Sequence, residues 1–238
     1  ALNKTKDFVL KTAENSAEEN QEVMKDAEDQ VKDEPFLHSL EWYAERGTCI
    51  HFLLENIDLQ KINQGAEPKI LFAELLENYN TAEDIKKSVS IAKLACFFRS
   101  KIGRGLLKAQ QDGGIVLREA DFTLVLTIDE LAQVFFGKND VSEAEIREFA
   151  DGYNLNYETD RNERVFFQGV IDLCFATAGG WYLVDYKSGS SKDLKDDDVR
   201  QKYGSQIMLY NMALSKITGQ KIIGKYIYYT SDNRFVEF

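Results

Sequence analysis

The sequence has 238 residues, 44% of them hydrophobic and 29% charged, which suits one large globular domain or two small ones. No apolar run approaches the roughly 20 residues of a membrane-spanning helix, and the polar start from Ala1 to Leu10 gives no expectation of a secretory signal. The net charge of −11 counts against non-specific nucleic-acid binding, which depends on neutralising phosphates, unless a local basic face or metal ions compensate.

The first half of the chain has a helical pattern. Residues 1–35 form a polar, charged segment, predicted as a helix of uncertain docking or as partly disordered, and Pro35 ends it. Apolar residues at helical spacing predict a helix from Phe36 to Ile62 and further helices over 69–79, 81–95 and 96–111. The part of the domain that begins at residue 36 is therefore predicted to start with a mostly helical region.

The second half alternates strands and helices. Gly113-Gly114 breaks the helical pattern, and an extended segment is predicted over 115–126. Helices over 128–137 and 142–151 belong to a block at about 128–160 that we interpret as an insertion between strands. The remaining predicted elements are a hairpin of strands 165–175 and 181–187, an amphipathic helix over 199–218 and a closing strand over 222–230.

The three cysteines indicate a reducing compartment. Cys49, Cys96 and Cys174 are odd in number, widely spaced and set among apolar residues, so neither a disulfide framework nor a zinc site is expected. We interpret them as small buried hydrophobic residues of a cytoplasmic protein.

The predicted hairpin carries the residues that suggest chemistry. Side chains alternate along a strand, so Asp185 and Lys187 point the same way, and Asp172 lies across the hairpin among apolar residues. Carboxylates are unfavourable there without a partner, and a hard cation such as Mg²⁺ supplies one. Two aspartates and the Tyr186 carbonyl would hold it, and Lys187 would act on the attacking water. For an isolated Asp-x-Lys pair, a structural salt bridge at a strand end is the more common explanation.

Several motifs in order resemble one known family. They are Gly169 to Leu173, Val184 to Ser188, Tyr203 with Gln206 and Tyr210, an upstream segment from Glu45 to Glu55, and Arg118-Glu119 followed by Phe122 to Leu124. This set resembles the RecB-family nucleases of the PD-(D/E)XK superfamily, and within them the C-terminal nuclease domain of the AddA subunit of AddAB helicase–nucleases. The resemblance covers roughly residues 36–230, and the iron–sulfur cysteine spacing of AddB-type relatives is absent.

The resemblance implies a fold and a set of roles. The fold would be α/β, restriction-endonuclease-like, with a mixed central sheet flanked by helices over residues 36–238. Mg²⁺, or Mn²⁺ in its place, would be held by His51, Asp172, Asp185 and the Tyr186 backbone carbonyl. The catalytic set would be Asp172, Asp185, Lys187, Gln206 and Tyr210. Core packing remains an alternative for His51 and Tyr210, and Glu119 is either a third acidic ligand or a structural partner.

The function implied is metal-dependent, exonuclease-type hydrolysis of DNA, in the nuclease part of a helicase–nuclease that processes double-strand breaks. Its partners would be DNA, the helicase region of a parent polypeptide and an AddB-like subunit. This sequence has no G-x-x-x-x-G-K-[ST] motif, so the motor would lie elsewhere. The alternatives are a standalone nuclease of a mobile element or defence system, and a non-catalytic DNA-binding or assembly module.

Two further segments have competing interpretations. The charged run from Lys192 to Asp198 is predicted to be a solvated loop, with a mobile DNA-entrance loop as the alternative. The aromatic residues Tyr226, Tyr228 and Tyr229 are predicted to pack within the sheet, with base stacking as the alternative.

Overall fold

The computed structural model describes residues 38–238. The predicted features of residues 1–37, including the charged first segment and Pro35, lie outside the described part. Within residues 38–238, no helix is both long enough and apolar enough to cross a membrane.

Short helices form the first layer. They are α1 (Leu40–Asn56), α2 (Leu59–Asn63), α3 (Pro68–Asn78), α4 (Glu83–Ser88), α5 (Ile91–Cys96), a 3₁₀ turn (Phe97–Arg99) and α6 (Lys101–Gln111). The single helix predicted through Ile62 is wrong, because Ile57 is extended and Asp58 starts α2 by accepting a hydrogen bond from the Lys61 N–H at 3.0 Å. The helices predicted over 81–95 and 96–111 are each interrupted as well, and Ser100 caps α6 through the Gly103 N–H.

A five-stranded mixed sheet forms the second layer. Its strands are β1 (Val116–Leu126), β2 (Val165–Thr177), β3 (Gly180–Lys187), β4 (Ile222–Tyr229) and β5 (Arg234–Glu237), in the spatial order β1-β2-β3-β4-β5. Only β3 and β4 are parallel, and α10 (Asp196–Thr218) connects them. A mixed sheet with helices on both faces confirms the predicted α/β fold with its helical first part.

Two hydrophobic cores lie on opposite faces of the sheet. The α10 core contains Phe122, Ile171, Cys174, Leu183 and Ile207, and the α1 core contains Leu53, Leu173, Phe175, Val184 and Tyr186. Ile171 and Leu173 are two positions apart in β2 but belong to different cores. The alternation of side chains therefore changes phase at Asp172, which places this residue where the two faces meet.

The block between β1 and β2 is helical. It holds α7 (Ile128–Phe136), α8 (Glu143–Gly152) and the short α9 (Tyr157–Asp160), which the sequence pattern did not predict. Capping boxes at Thr127 and Ser142 start α7 and α8. The interpretation of residues 128–160 as an insertion stays a prediction.

Helix α10 begins three residues earlier than the apolar pattern predicts. Asp196, Asp197 and Asp198 form its first turn, where carboxylates interact favourably with the positive end of the helix dipole. The Lys195 N–H also donates to Asp198 Oδ2 at 3.1 Å. The predicted loop from Lys192 to Asp198 is thus helical in its last three residues, a pattern that charge alone did not reveal.

Candidate active site

The two aspartates lie where β2 and β3 separate. Leu173 and Val184 are the last paired residues of this antiparallel pair, and Asp172 and Asp185 follow them on the two strands. The Tyr186 N–H donates to Asp172 Oδ2 at 2.6 Å, so a carboxylate takes the place of a strand carbonyl. Both aspartates are buried, with exposed fractions of 8% and 2%. The hairpin therefore holds two carboxylates in an almost water-free setting.

His51 and Glu119 complete an acidic cluster around Asp172. His51 Nδ1 lies 3.1 Å from Glu119 Oε1 and 3.6 Å from Asp172 Oδ1. One ligand atom from each of the three residues lies within 4.8 Å of the others, a spacing that suits a metal ion. The side chain of His51 is 30% exposed, so this cluster opens to solvent.

The backbone of β1 is unusual at Glu119. Arg118 pairs with Leu173 and Ala120 pairs with Ile171, so Glu119 lies opposite Asp172. Its φ of 45° is in the left-handed region, which is rare for a residue with a side chain and costs on the order of 1–3 kcal/mol. Strain of this kind, next to a carboxylate cluster, is typical of a functional position.

Lys187 lies on the other side of the aspartates. Its Nζ is 3.2 Å from Asp185 Oδ2, donates to Gln206 Oε1 at 3.2 Å, and lies 4.6 Å from the ring centre of Tyr203. Gln206 and Tyr203 both belong to α10. The lysine is thus positioned from three directions, by its own strand and by two residues of the crossover helix.

Gln206 and Tyr210 act as a pair on α10. They are four residues apart and share one helix face, and Gln206 Nε2 donates to the Tyr210 hydroxyl at 3.2 Å. The Tyr210 ring contacts Phe122 edge-on, with ring centres 5.7 Å apart. Tyr210 therefore both packs against the sheet and orients the amide that accepts from Lys187.

The electrostatics of the cluster indicate an excess of negative charge. Burial and the neighbouring charge of Asp185 raise the pKa of Asp172 well above its usual range. Burial would lower the pKa of His51, but its bond to Glu119 and the charges of Asp172 and Asp185 outweigh burial and raise that pKa to about 9. Without a cation, the site therefore favours extra protons.

Two arginines hold α1 against the sheet. Arg118 donates to the carbonyl oxygens of Ile57 at 2.6 Å and Leu54 at 3.5 Å, at the carboxyl end of α1. Arg46 donates to the Ser188 carbonyl at 3.1 Å. Burial lowers the pKa of both guanidinium groups. Sequence reasoning missed these supporting roles and that of Tyr203, although all three residues lie within the motifs that carried the resemblance.

The predicted site residues thus form two adjoining groups. His51, Glu119 and Asp172 form the first group, and Asp185, Lys187, Gln206 and Tyr210 form the second. The side chain of Tyr186 points into the α1 core, where it packs edge-on against Phe97 with ring centres 6.1 Å apart. The ligand role of its backbone carbonyl stays a prediction.

The other predicted residues have structural surroundings. All three cysteines are free thiols; Cys49 and Cys174 are buried and Cys96 is partly exposed. Tyr228 and Tyr229 are buried in the two cores, and Tyr226 packs edge-on against Phe235, which supports the packing interpretation of this aromatic group.

The comparisons with known proteins agree with this geometry. The family description "PD-(D/E)XK nuclease superfamily" matches residues 23–237, and the chain therefore belongs to that superfamily. Curated relatives are named as subunits of an ATP-dependent helicase/nuclease. The protein of Clostridium perfringens is 30% identical over 185 residues, 78% of this chain and 13% of the relative. That of Clostridium beijerinckii is 28% identical over the same shares, and that of Clostridium kluyveri 29% identical over 82% and 14%.

The chain thus spans about an eighth of the length of the curated relatives that it matches, 13% in the Clostridium perfringens case. Within the superfamily it is a nuclease domain related to one region of these helicase/nuclease subunits. The activity of the whole relative does not follow from this partial match.

Proposed function

We propose that this domain hydrolyses DNA phosphodiester bonds with the help of a divalent cation. The observation that carries the proposal is the junction at Asp172. This carboxylate belongs to the cluster with His51 and Glu119, and its strand neighbour Asp185 contacts Lys187. A cation position and a positioned lysine lie side by side, as hydrolysis of a phosphodiester requires.

The residues of the cluster fit a divalent cation. Two carboxylates and one imidazole offer three donor atoms, and a cation would offset the repulsion that raises the pKa of Asp172. We propose Mg²⁺ as the cofactor, with Mn²⁺ as a substitute that accepts an imidazole ligand more readily. When bound, the cation would lower the pKa of a coordinated water and shield the charge that develops on the phosphate.

The protein's own residues would bind and orient the reactants. Lys187, held by Gln206 and Asp185, presents Nζ to the attacking water or to a phosphate oxygen. Its positive charge favours the transition state, which carries more negative charge than the substrate at the reacting oxygens. Tyr210 keeps the Gln206 amide in the orientation that accepts from Nζ. Asp185 and the Tyr186 carbonyl are proposed as additional cation ligands.

The wider role that we propose is exonuclease-type processing of DNA ends. The relatives' printed name includes both helicase and nuclease and describes one subunit of a larger assembly. It therefore supports two partners, a motor region and a second, AddB-like chain. End processing in repair of double-strand breaks would place the protein in the cytoplasm. The net charge of −11 fits a domain to which a motor delivers DNA, because such a domain needs little affinity of its own.

Cleavage of linear single- and double-stranded DNA by the whole chain tests the proposal. The reactions contain Mg²⁺ or Mn²⁺, with EDTA and Lys187→Ala as controls, and closed circular DNA distinguishes exonuclease from endonuclease action. We expect metal-dependent loss of linear DNA, no loss of circles and no activity in the variant.

Two other outcomes count against parts of the proposal. Mn²⁺ binding at Asp172 without cleavage would mean that the domain acts only when a motor delivers DNA. Neither cleavage nor cation binding would favour the non-catalytic module.

A further inference from the structure

The segment that follows Lys187 is held by the turn between β4 and β5. The Thr230 N–H donates to the Lys187 carbonyl at 2.9 Å, and the Ser231 hydroxyl donates to the Ser188 carbonyl at 2.7 Å. Asp232 Oδ2 accepts from the Ser191 N–H, from the Ser190 hydroxyl at 3.0 Å and from the Ser191 hydroxyl at 3.1 Å. One carboxylate oxygen thus gathers three donors of this segment.

The turn itself has a fixed shape. Asn233 has a φ of 54°, and its side chain accepts from the Tyr228 hydroxyl at 2.8 Å. The Asp232 N–H donates back to the Tyr229 carbonyl at 3.3 Å. Ser191, which Asp232 holds, has an exposed fraction of 0%. The carboxylate therefore has little freedom to follow a displaced segment.

The held segment links two parts of the candidate site. It leaves β3 at Lys187 and enters α10, which presents Gln206 to the same lysine. Any shift of this segment therefore changes the position of Nζ relative to the Gln206 amide. The alternative of a mobile entrance loop does not fit a segment that is fixed at Ser188, Ser190 and Ser191.

We propose that Asp232 is a positioning residue for Lys187, acting through residues 188–191. This inference rests on the proposed nuclease function for its kinetic part. The hydrogen bonds of the Asp232 carboxylate go to Ser190 and Ser191 rather than to the acidic cluster, so its loss leaves the cation ligands in place. The turnover number then falls because Nζ is displaced, and displacements of about 1 Å cost up to a hundredfold in rate.

The test compares Asp232→Ala, Asp232→Asn and a matched control in the whole chain. Glu145 is the matched residue: it accepts from the Ser142 N–H at 2.9 Å, the Ser142 hydroxyl at 2.8 Å and Lys138, in the block between β1 and β2. Cleavage of linear single-stranded DNA with Mn²⁺ gives kcat and KM, and calorimetry gives Mn²⁺ affinity. Amide hydrogen exchange reports on residues 187–194.

We expect Asp232→Ala to lower kcat by about 10- to 100-fold while KM and Mn²⁺ affinity stay within about twofold. Asp232→Asn keeps a side-chain oxygen and should recover most of kcat, and Glu145→Ala should leave kcat unchanged. An unchanged kcat in Asp232→Ala, with wild-type cleavage intact, overturns the inference and leaves the nuclease proposal standing.

Hydrogen exchange keeps the two proposals separate. If the wild type cleaves no DNA, the nuclease proposal fails for the isolated chain, and exchange alone decides the positioning role. Faster exchange at residues 187–191 in Asp232→Ala, but not in Glu145→Ala, supports the role of Asp232. Unchanged exchange at those residues overturns it.

Discussion

The backbone N–H of Tyr186 donates to Asp172 Oδ2 at 2.6 Å, and this bond fixes the candidate site. Tyr186 lies between Asp185 and Lys187, so one oxygen of Asp172 sets the distance from the first strand to both residues on the second. The other carboxylate oxygen faces His51, at 3.6 Å from Nδ1. Each substitution of a site residue should therefore have a distinct signature.

Asp172→Asn should abolish cleavage without loss of fold. Asparagine keeps an oxygen for the Tyr186 N–H but removes a buried charge whose pKa is raised by burial and by Asp185. We expect a rate loss of at least about a thousandfold, at the upper end of single-residue effects. Metal-free thermal unfolding should be unchanged or at a higher temperature. Cleavage at the wild-type rate would remove Asp172 from the active centre.

Lys187→Met should separate catalysis from cation binding. The lysine contacts Asp185 and Gln206, whereas the bond between His51 and Glu119 does not involve it. We expect kcat to fall by about 10²- to 10⁴-fold, the range of a lost proton-transfer or positioning group. Calorimetry with Mn²⁺ should give nearly wild-type affinity. A loss of affinity comparable to the loss of rate would instead make Lys187 a structural residue of the cation site.

The stability of the metal-free protein should fall as pH rises above neutrality. The folded-state pKa of His51 is about 9 against an ordinary 6.5, so its contribution is complete below 6.5 and is lost as pH rises through about 9. With 30% of the side chain exposed, we expect a loss of about 1 kcal/mol, or roughly 2–4 °C in melting temperature. Melting in EDTA from pH 6 to 9 measures it.

His51→Asn should flatten this pH dependence, and His38→Asn serves as the control. His38 stacks on Trp42 with ring centres 3.8 Å apart, away from the acidic cluster. Saturating Mn²⁺ should reverse the wild-type trend, since cation binding requires the ligands to lose their protons. Equal slopes in wild type and His51→Asn would contradict the interaction with Glu119.

Tyr210→Phe should lower kcat modestly through Gln206. The substitution keeps the ring contact with Phe122 but removes the hydroxyl that accepts from Gln206 Nε2. We expect up to about a tenfold loss in kcat, equivalent to the roughly 1 kcal/mol of one hydrogen bond. Tyr226→Phe, which loses a 3.0 Å bond to Glu237, is the matched control and should leave kcat unchanged. Identical effects of both variants would assign Tyr210 to the core alone.

The sequence by itself determined the hairpin and the second group of site residues. The period of two along a strand places Asp185 and Lys187 on one face, and a spacing of four places Gln206 and Tyr210 on one helix face. These relationships are local, so the chain pattern is sufficient to predict them. Apolar spacing likewise predicted most helices and strands, but not the breaks at Asp58 and Ser100, where a single capping side chain ends one helix and starts the next.

Only the tertiary structure decided how the first group assembles. His51 and Glu119 are 68 residues apart and meet because Arg118 fastens the end of α1 to β1. The left-handed backbone of Glu119 and the change of phase at Asp172 bring the carboxylates of two strands to one point. No periodicity encodes these features, because each depends on packing between elements that are distant in sequence. The same holds for Asp232, which lies 41 residues beyond the serine that it holds.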